Sequence, residues 1–171
     1  IILLLMLFSM ATGTFITLTS SHWLTAWIGL ELNTLSIIPI ITKHHHPRST
    51  EATTKYFLTQ AAASAMLLFS ATINAWYTGT WDIHQMTNQH ACTMLTIALS
   101  MKLGLAPLHF WLPEVLQGTS LNTALIITTW QKLAPMALMY ISYASLNPVI
   151  LLTTGVFSIL VGGWGGLNQT Q

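Results

Sequence analysis

About six runs of roughly 20 predominantly apolar residues follow one another along the chain, separated by short polar segments. A helix of that length crosses a hydrocarbon core of about 30 Å, because each helical residue rises about 1.5 Å. Only 5% of the 171 residues are charged, whereas soluble domains usually carry about 25%. The sequence therefore predicts an all-α fold, namely a polytopic transmembrane helix bundle. Its predicted spans lie at about 1–19, 23–42, 51–76, 91–118, 120–143 and 149–163.

The fourth predicted span contains Lys102 near its middle and Pro107 five residues later. A charged side chain at the bilayer centre costs about 2.5–3.5 kcal/mol, so membrane helices usually retain one for a function. Pro107 has no N–H and clashes with the carbonyl of Leu103, so we expect the helix to break at Pro107 and to release that acceptor. An ionisable group beside a free carbonyl in a broken helix is typical of ion and proton sites in membranes. Lys102 is therefore the first candidate functional residue.

Three charged side chains lie near the midpoints of three different predicted spans: Glu31, Lys102 and Lys132. If all three faced lipid, they would add roughly 8–10 kcal/mol to the cost of insertion. We therefore expect them to face one another, other helices or internal water, along a polar path through the membrane centre. Pro135 is expected to free the carbonyl of Gln131, so each lysine has a released acceptor beside it in the sequence.

His109 lies seven residues after Lys102, so both side chains can share one helix face, and His109 is a candidate proton relay. Each of these polar residues also has a plainer interpretation. A buried pair of Glu31 with a lysine can simply fix the register of packed helices, and His109 can be an ordinary core or interfacial histidine. The histidine run at 44–46 is predicted to be a solvated loop and not a metal site, because adjacent residues point in different directions.

Composition and motifs argue against several classes of function. The net charge of +1 leaves no basic patch for binding nucleic acid. Cys92 is the single cysteine, so it can neither form a disulfide within the chain nor hold an iron–sulfur cluster. The glycine-rich fingerprint of dinucleotide-binding folds is not found in the sequence. The sequence therefore predicts no site for NAD, flavin, iron–sulfur clusters, quinone or a metal in this chain.

Five sequence runs together resemble one family of membrane proteins. Two of them, MKLGLAPLHFWLPEV at 101–115 and TWQKLAP at 129–135, contain Lys102 and Lys132. The others lie at 21–33, 47–63 and 162–171. In these runs the chain is similar to the antiporter-like membrane subunits of respiratory complex I, in their animal mitochondrial form. That family shares ancestry with multisubunit cation/proton antiporters.

The resemblance implies a core membrane-arm subunit of proton-pumping NADH:ubiquinone oxidoreductase, multi-pass in the mitochondrial inner membrane. Its partners would be the other complex I membrane subunits, the lipid bilayer and protons. It would carry no redox centre, because NADH, flavin, iron–sulfur clusters and ubiquinone are bound by other subunits of that enzyme. The resemblance also implies that Glu31, Lys102 and Lys132 transfer protons. Residues 1–171 would form the N-terminal part of an antiporter-like domain whose second repeat follows.

One position departs from the wider family. Leu116 stands where a second histidine would close the His-x-Trp-Leu-Pro-acid-x-His pattern that begins at His109. This departure weakens a relay through the outer half of the broken helix. Two other functions stay open from the residues alone. A free-standing cation/proton antiporter would use the same three charges, and a structural membrane scaffold would use them only to hold helices together.

Overall fold

The computed structural model of the protein describes residues 1–44 and 46–169, and the regular elements there are all helical. Within these residues the α-helices are α1 (Ile2–Thr19), α2 (Trp23–Ile41), α3 (Pro47–Thr78), α4 (Gln89–Leu103), α5 (Trp111–Gln117), α6 (Leu121–Thr128), α7 (Trp130–Ile141) and α8 (Pro148–Leu167). A short 3₁₀ turn at Thr42–His44 follows α2. The all-α fold predicted from the sequence is confirmed. The predicted loop at 44–46 includes His45, which lies outside the described residues.

Four helices in the described part of the chain are long and apolar enough to cross a membrane: α1, α2, α3 and α8. The predicted fourth and fifth spans are each divided into two shorter helices, α4 with α5 and α6 with α7. The predicted bundle of about six spans is therefore built from four continuous helices and two interrupted ones. With 32 residues, α3 is about 48 Å long at about 1.5 Å per residue, which exceeds the hydrocarbon core.

The first interruption lies in the predicted region but begins before the proline. α4 ends at Leu103, because Gly104 takes a left-handed conformation with φ of 72°, which glycine adopts without a Cβ clash. The N–H of Gly104 then bonds the carbonyl of Met101 at 3.1 Å and closes the helix end. Pro107 follows in the irregular segment that leads to α5. The broken helix is confirmed, and a glycine ends its first half three residues before the proline.

The second interruption, at Thr129, is not predicted by the sequence. Thr129 has φ of −106° and ψ of −70° between α6 and α7, and its hydroxyl donates to the carbonyl of Leu125 at 2.6 Å. Pro135 lies inside α7 and does not interrupt it. The prediction of one broken helix, at Pro107, is therefore incomplete. A threonine that bonds the preceding turn can bend a helix, but it gives a much weaker sequence signal than proline.

The interior lies between α2, α3, α4 and α7, whose buried apolar side chains form one cluster. Its large members include Trp23, Leu67, Leu95, Leu99 and Leu138. α1 packs along α2, and α5 packs on α3. By contrast, Thr154 is the only buried residue of α8. Three of the four central helices, α2, α4 and α7, carry the predicted charges Glu31, Lys102 and Lys132.

Two glycines let α1 and α2 approach each other closely. A Cβ on Gly29 would lie 2.8 Å from the backbone oxygen of Gly13, and a Cβ on Gly13 would lie 2.9 Å from that of Gly29. Cβ atoms essentially never come this close to a backbone oxygen, so only glycine fits at either position. Small residues commonly allow such close packing between membrane helices. The contact fixes α1 against the helix that carries Glu31.

Candidate functional site

The structure brings the three predicted charged residues to the interior of the bundle. Lys102, in the last turn of α4, is 4% exposed. Glu31 on α2 and Lys132 on α7 are partly buried. The carboxylate of Glu31 is close enough to interact electrostatically with Lys102 and with Tyr56, a buried residue of α3. Side chains from several helices therefore contribute to one polar region.

Lys132 reaches from α7 to the end of α4. Its Nζ donates a hydrogen bond to the carbonyl of Leu103, the acceptor that the sequence predicts to be free. The last carbonyls of a helix lack intrahelical donors and carry a partial negative charge, so an ammonium group is favoured there. In the sequence this carbonyl lies next to Lys102. In the structure it accepts a hydrogen bond from Lys132, the lysine of the other interrupted helix. The two lysines are thereby linked through adjacent residues of α4.

Three of the predicted site residues contain a buried polar atom that lacks a hydrogen-bond partner in the described part of the chain. These atoms are Oε2 of Glu31, Nζ of Lys102 and Nδ1 of His109. Buried polar atoms are nearly always paired, and an unpaired one costs roughly 1–3 kcal/mol. These three atoms belong to ionisable side chains that the sequence predicts to act in proton transfer, and that role stays a prediction.

Glu31 and Lys102 attract each other without forming a direct ion pair. Within residues 1–44 and 46–169, the close ion pairs are both made by Lys55, with Glu51 and Glu114. Closing the pair between Glu31 and Lys102 therefore requires a movement of one of the two side chains.

His109 lies in the irregular segment between α4 and α5, and its ring stacks on Phe110 with centroids 4.7 Å apart. It lines a cavity of about 400 Å³ together with Gly104 and with residues of α8, including Gly162 and Gly165. The structure therefore places His109 at the helix break, beside α8. A relay through His109 stays a prediction.

The ion-pair cluster of Lys55 is not predicted by the sequence. Its Nζ lies 2.7 Å from a carboxylate oxygen of Glu51 in the same helix and 2.8 Å from one of Glu114 in α5. The spacing of Glu51 and Lys55, four residues apart on one helix, is a signal that the sequence does contain. The pairing with Glu114 depends on how α5 packs against α3. The cluster fastens the second half of the first interrupted helix to α3.

We expect Lys55→Met to have only a small effect on thermal stability. The side chain of Lys55 is 39% exposed and those of Glu51 and Glu114 are more than half exposed, and ion pairs that water reaches contribute little. The thermal midpoint of the full-length protein within its purified assembly, measured at low and at high salt, checks this expectation. Any loss should shrink as salt is added, because screening weakens exposed pairs. A large loss that salt leaves unchanged would contradict the exposed position of the cluster.

The fold and the site together define a class of protein, a multi-pass helical membrane protein with ionisable side chains gathered at an interrupted helix. Residues 20–171 match the family model described as NADH:quinone oxidoreductase/Mrp antiporter, TM, and the chain belongs to this family. NADH-ubiquinone oxidoreductase chain 2 of Xenopus laevis is 64% identical over 163 residues, which cover 95% of this chain and 47% of that protein. The chain spans about half the length of the curated relatives it matches.

Two solved structures share the fold. One chain of respiratory complex I from Thermus thermophilus matches with a TM-score of 0.88 and 28% identity, over 98% of this chain and 40% of that chain. One chain of the Mrp complex from Dietzia sp. DQ12-45-1b matches with a TM-score of 0.75 and 18% identity, over 81% of this chain and 28% of that chain. The second likeness shows the fold alone. The family membership inferred from the sequence runs is confirmed.

Proposed function

We propose that the chain is part of a core membrane-arm subunit of proton-pumping NADH:ubiquinone oxidoreductase, in which Glu31, Lys102 and Lys132 transfer protons. The observation that carries the proposal is the hydrogen bond from Lys132 to the carbonyl of Leu103. This bond joins Lys132, on one interrupted helix, to Leu103 on the other, and Leu103 is the neighbour of the buried Lys102. The names of the relative from Xenopus laevis and of the Thermus thermophilus complex support the assignment to this enzyme.

In the proposed transfer, the ammonium of Lys102 gives its proton to the neutral amine of Lys132, directly or through water. Lys132 becomes positively charged and is then held by the carbonyl of Leu103. A closed pair with Glu31 keeps the proton on Lys102, because the carboxylate stabilises the charged amine. Opening that pair releases the proton toward Lys132. A change of charge near Glu31 therefore decides which lysine is protonated.

The chain itself is proposed to hold no redox cofactor. Among the described residues, no group of three or more His, Cys, Asp or Glu side chains is arranged to hold a metal ion. NADH, flavin, iron–sulfur clusters and ubiquinone are then bound by other subunits of the enzyme. The partners of the chain are the other complex I membrane subunits and the lipid of the mitochondrial inner membrane. Residues 1–171 are proposed to form the N-terminal part of an antiporter-like domain.

Native purification distinguishes this function from that of a free-standing cation/proton antiporter. We expect the full-length protein, detected immunologically, to co-migrate with NADH dehydrogenase activity on a native gel. Migration as a separate assembly without that activity would contradict the proposal. A structural scaffold would also co-migrate, but it needs no titratable group, so substitution of Lys102 separates it from a proton-transferring subunit.

A further inference from the structure

Gln131, which immediately precedes Lys132 on α7, contacts two other helices. Its Nε2 donates to the backbone carbonyl of Asn33 on α2 at 3.1 Å. The same atom lies 3.6 Å from Sδ of Met10 on α1. The side chain therefore ties the part of α7 that carries Lys132 to the α1–α2 pair.

This contact lies just after the interruption at Thr129. The N–H of Lys132 bonds the carbonyl of Thr129 at 3.2 Å, three residues back instead of the four of a regular α-helix. Because the helix is not continuous here, the hydrogen bonds of α6 do not fix the orientation of the residues that follow. A side-chain contact with another helix then decides where the first turn of α7 points.

The acceptor of this contact lies in a closely packed part of the bundle. Asn33 is 2% exposed, and its Oδ1 lies 2.6 Å from the position that a Cβ on Gly13 would occupy. Its carbonyl is a backbone atom of α2, which is packed closely on α1 at the two glycines. The carbonyl cannot move without moving the helix pair. Gln131 is therefore attached to a fixed point of the bundle.

Adjacent residues on a helix point about 100° apart, so Gln131 and Lys132 are directed toward different neighbours. Gln131 bonds α2, and Lys132 bonds the carbonyl of Leu103 at the end of α4. We propose that Gln131 is a positioning residue that anchors α7 to α2 and thereby places Nζ of Lys132 at the end of α4. This inference rests on the proposed function, because Gln131 acts only through proton transfer at Lys132.

The test replaces Gln131 by methionine, which has a similar length but no N–H donor, in the full-length protein within its native assembly. We expect Gln131→Met to lower redox-coupled proton pumping by about 10-fold or more, because a misplacement of about 1 Å can cost up to about 100-fold in rate. Leu133→Met is the matched control. It introduces a methionine into α7 two positions further along, where the native side chain is 51% exposed. We expect this control to pump like the wild type.

A double variant separates positioning from a general role in packing. If Gln131 acts through Lys132, adding Gln131→Met to Lys132→Ala should lower pumping no further, because both changes disable the same step. An additional loss in the double variant, or wild-type pumping by Gln131→Met, would overturn the inference. Undiminished pumping by Lys132→Ala would instead refute the proposed function, so the two failures are distinguishable.

Assembly is measured for each variant on a native gel. If Gln131→Met does not assemble, Gln131→Asn supplies the second test, because it keeps the carboxamide but is one methylene too short to reach α2. We expect Gln131→Asn to assemble and to pump less than the wild type. Wild-type pumping by this variant, or the failure of both variants to assemble, would overturn the positioning role.

Discussion

Lys102→Met is expected to slow the proton transfer of this subunit by about 100-fold or more. A positioned acid–base group typically contributes about 10²–10⁴ in rate, and methionine has no proton to exchange. Methionine also keeps most of the length and volume of the lysine stem, so it leaves little cavity at a side chain that is 4% exposed. The buried Nζ of Lys102 has no hydrogen-bond partner among the described residues, so its removal leaves no further donor or acceptor unpaired, and we expect folding and assembly to be retained.

The number of protons pumped per NADH oxidised by the assembly in sealed vesicles checks this prediction, with the rate of NADH oxidation recorded in parallel. Lys55→Met is the matched control, because it makes the same change at a lysine that lies outside the site and is 39% exposed. Full assembly of Lys102→Met with undiminished pumping would remove Lys102 from the proton path. An equal loss in both variants would also contradict a role specific to the buried lysine.

Gly29→Ala is expected to have the largest effect on stability. The new Cβ would lie 2.8 Å from the backbone oxygen of Gly13 and 2.6 Å from Cγ2 of Thr17. These contacts can be relieved only by separating α1 from α2, so we expect the overpacking to cost about 1–3 kcal/mol. Gly163→Ala in α8 is the control, because no neighbouring atom lies within 4 Å of a Cβ there. Alanine should even favour that helix by roughly 0.5–1 kcal/mol.

Thermal denaturation of the full-length protein within its purified assembly in detergent provides the comparison between the two glycine variants. A destabilisation of about 1–3 kcal/mol lowers the thermal midpoint of a protein by several degrees. We therefore expect Gly29→Ala to lower the midpoint by several degrees and Gly163→Ala to leave it unchanged or slightly higher. Equal midpoints for the two variants would contradict the close contact of α1 with α2.

The buried charges and the first helix break can be predicted from the sequence because each depends on a local pattern. A charge such as that of Lys102 is unfavourable in hydrocarbon in any fold. A charged residue inside an apolar run is therefore expected to be shielded from lipid by other helices. Pro107 likewise marks a break because it removes a donor from its own helix. α4 ends before this proline because Gly104 caps it, and glycine is the residue that most readily takes the left-handed conformation at a helix end.

The partners of these residues cannot be predicted in this way, because they are brought together by packing. Lys132 and Leu103 are 29 residues apart, and Gln131 and Asn33 are 98 residues apart. No local sequence pattern indicates which lysine donates a hydrogen bond to the carbonyl of Leu103. The interruption at Thr129 is similar, because threonine is tolerated in many helices. Its effect here is seen only once α7 packs against α1, α2 and α4.

The length of α3 has a consequence for how the protein responds to its membrane. A helix of 32 residues, about 48 Å long, exceeds a core of about 30 Å, so it either tilts or projects into the lipid headgroups. Its first turns carry Arg48, Glu51 and Lys55, which favour the headgroup level. α5 packs against this end of α3, where the rings of Tyr56 and Trp111 meet edge to face with centroids 5.8 Å apart. We therefore expect a change in bilayer thickness, which alters the tilt of a long helix, to shift α5 as well.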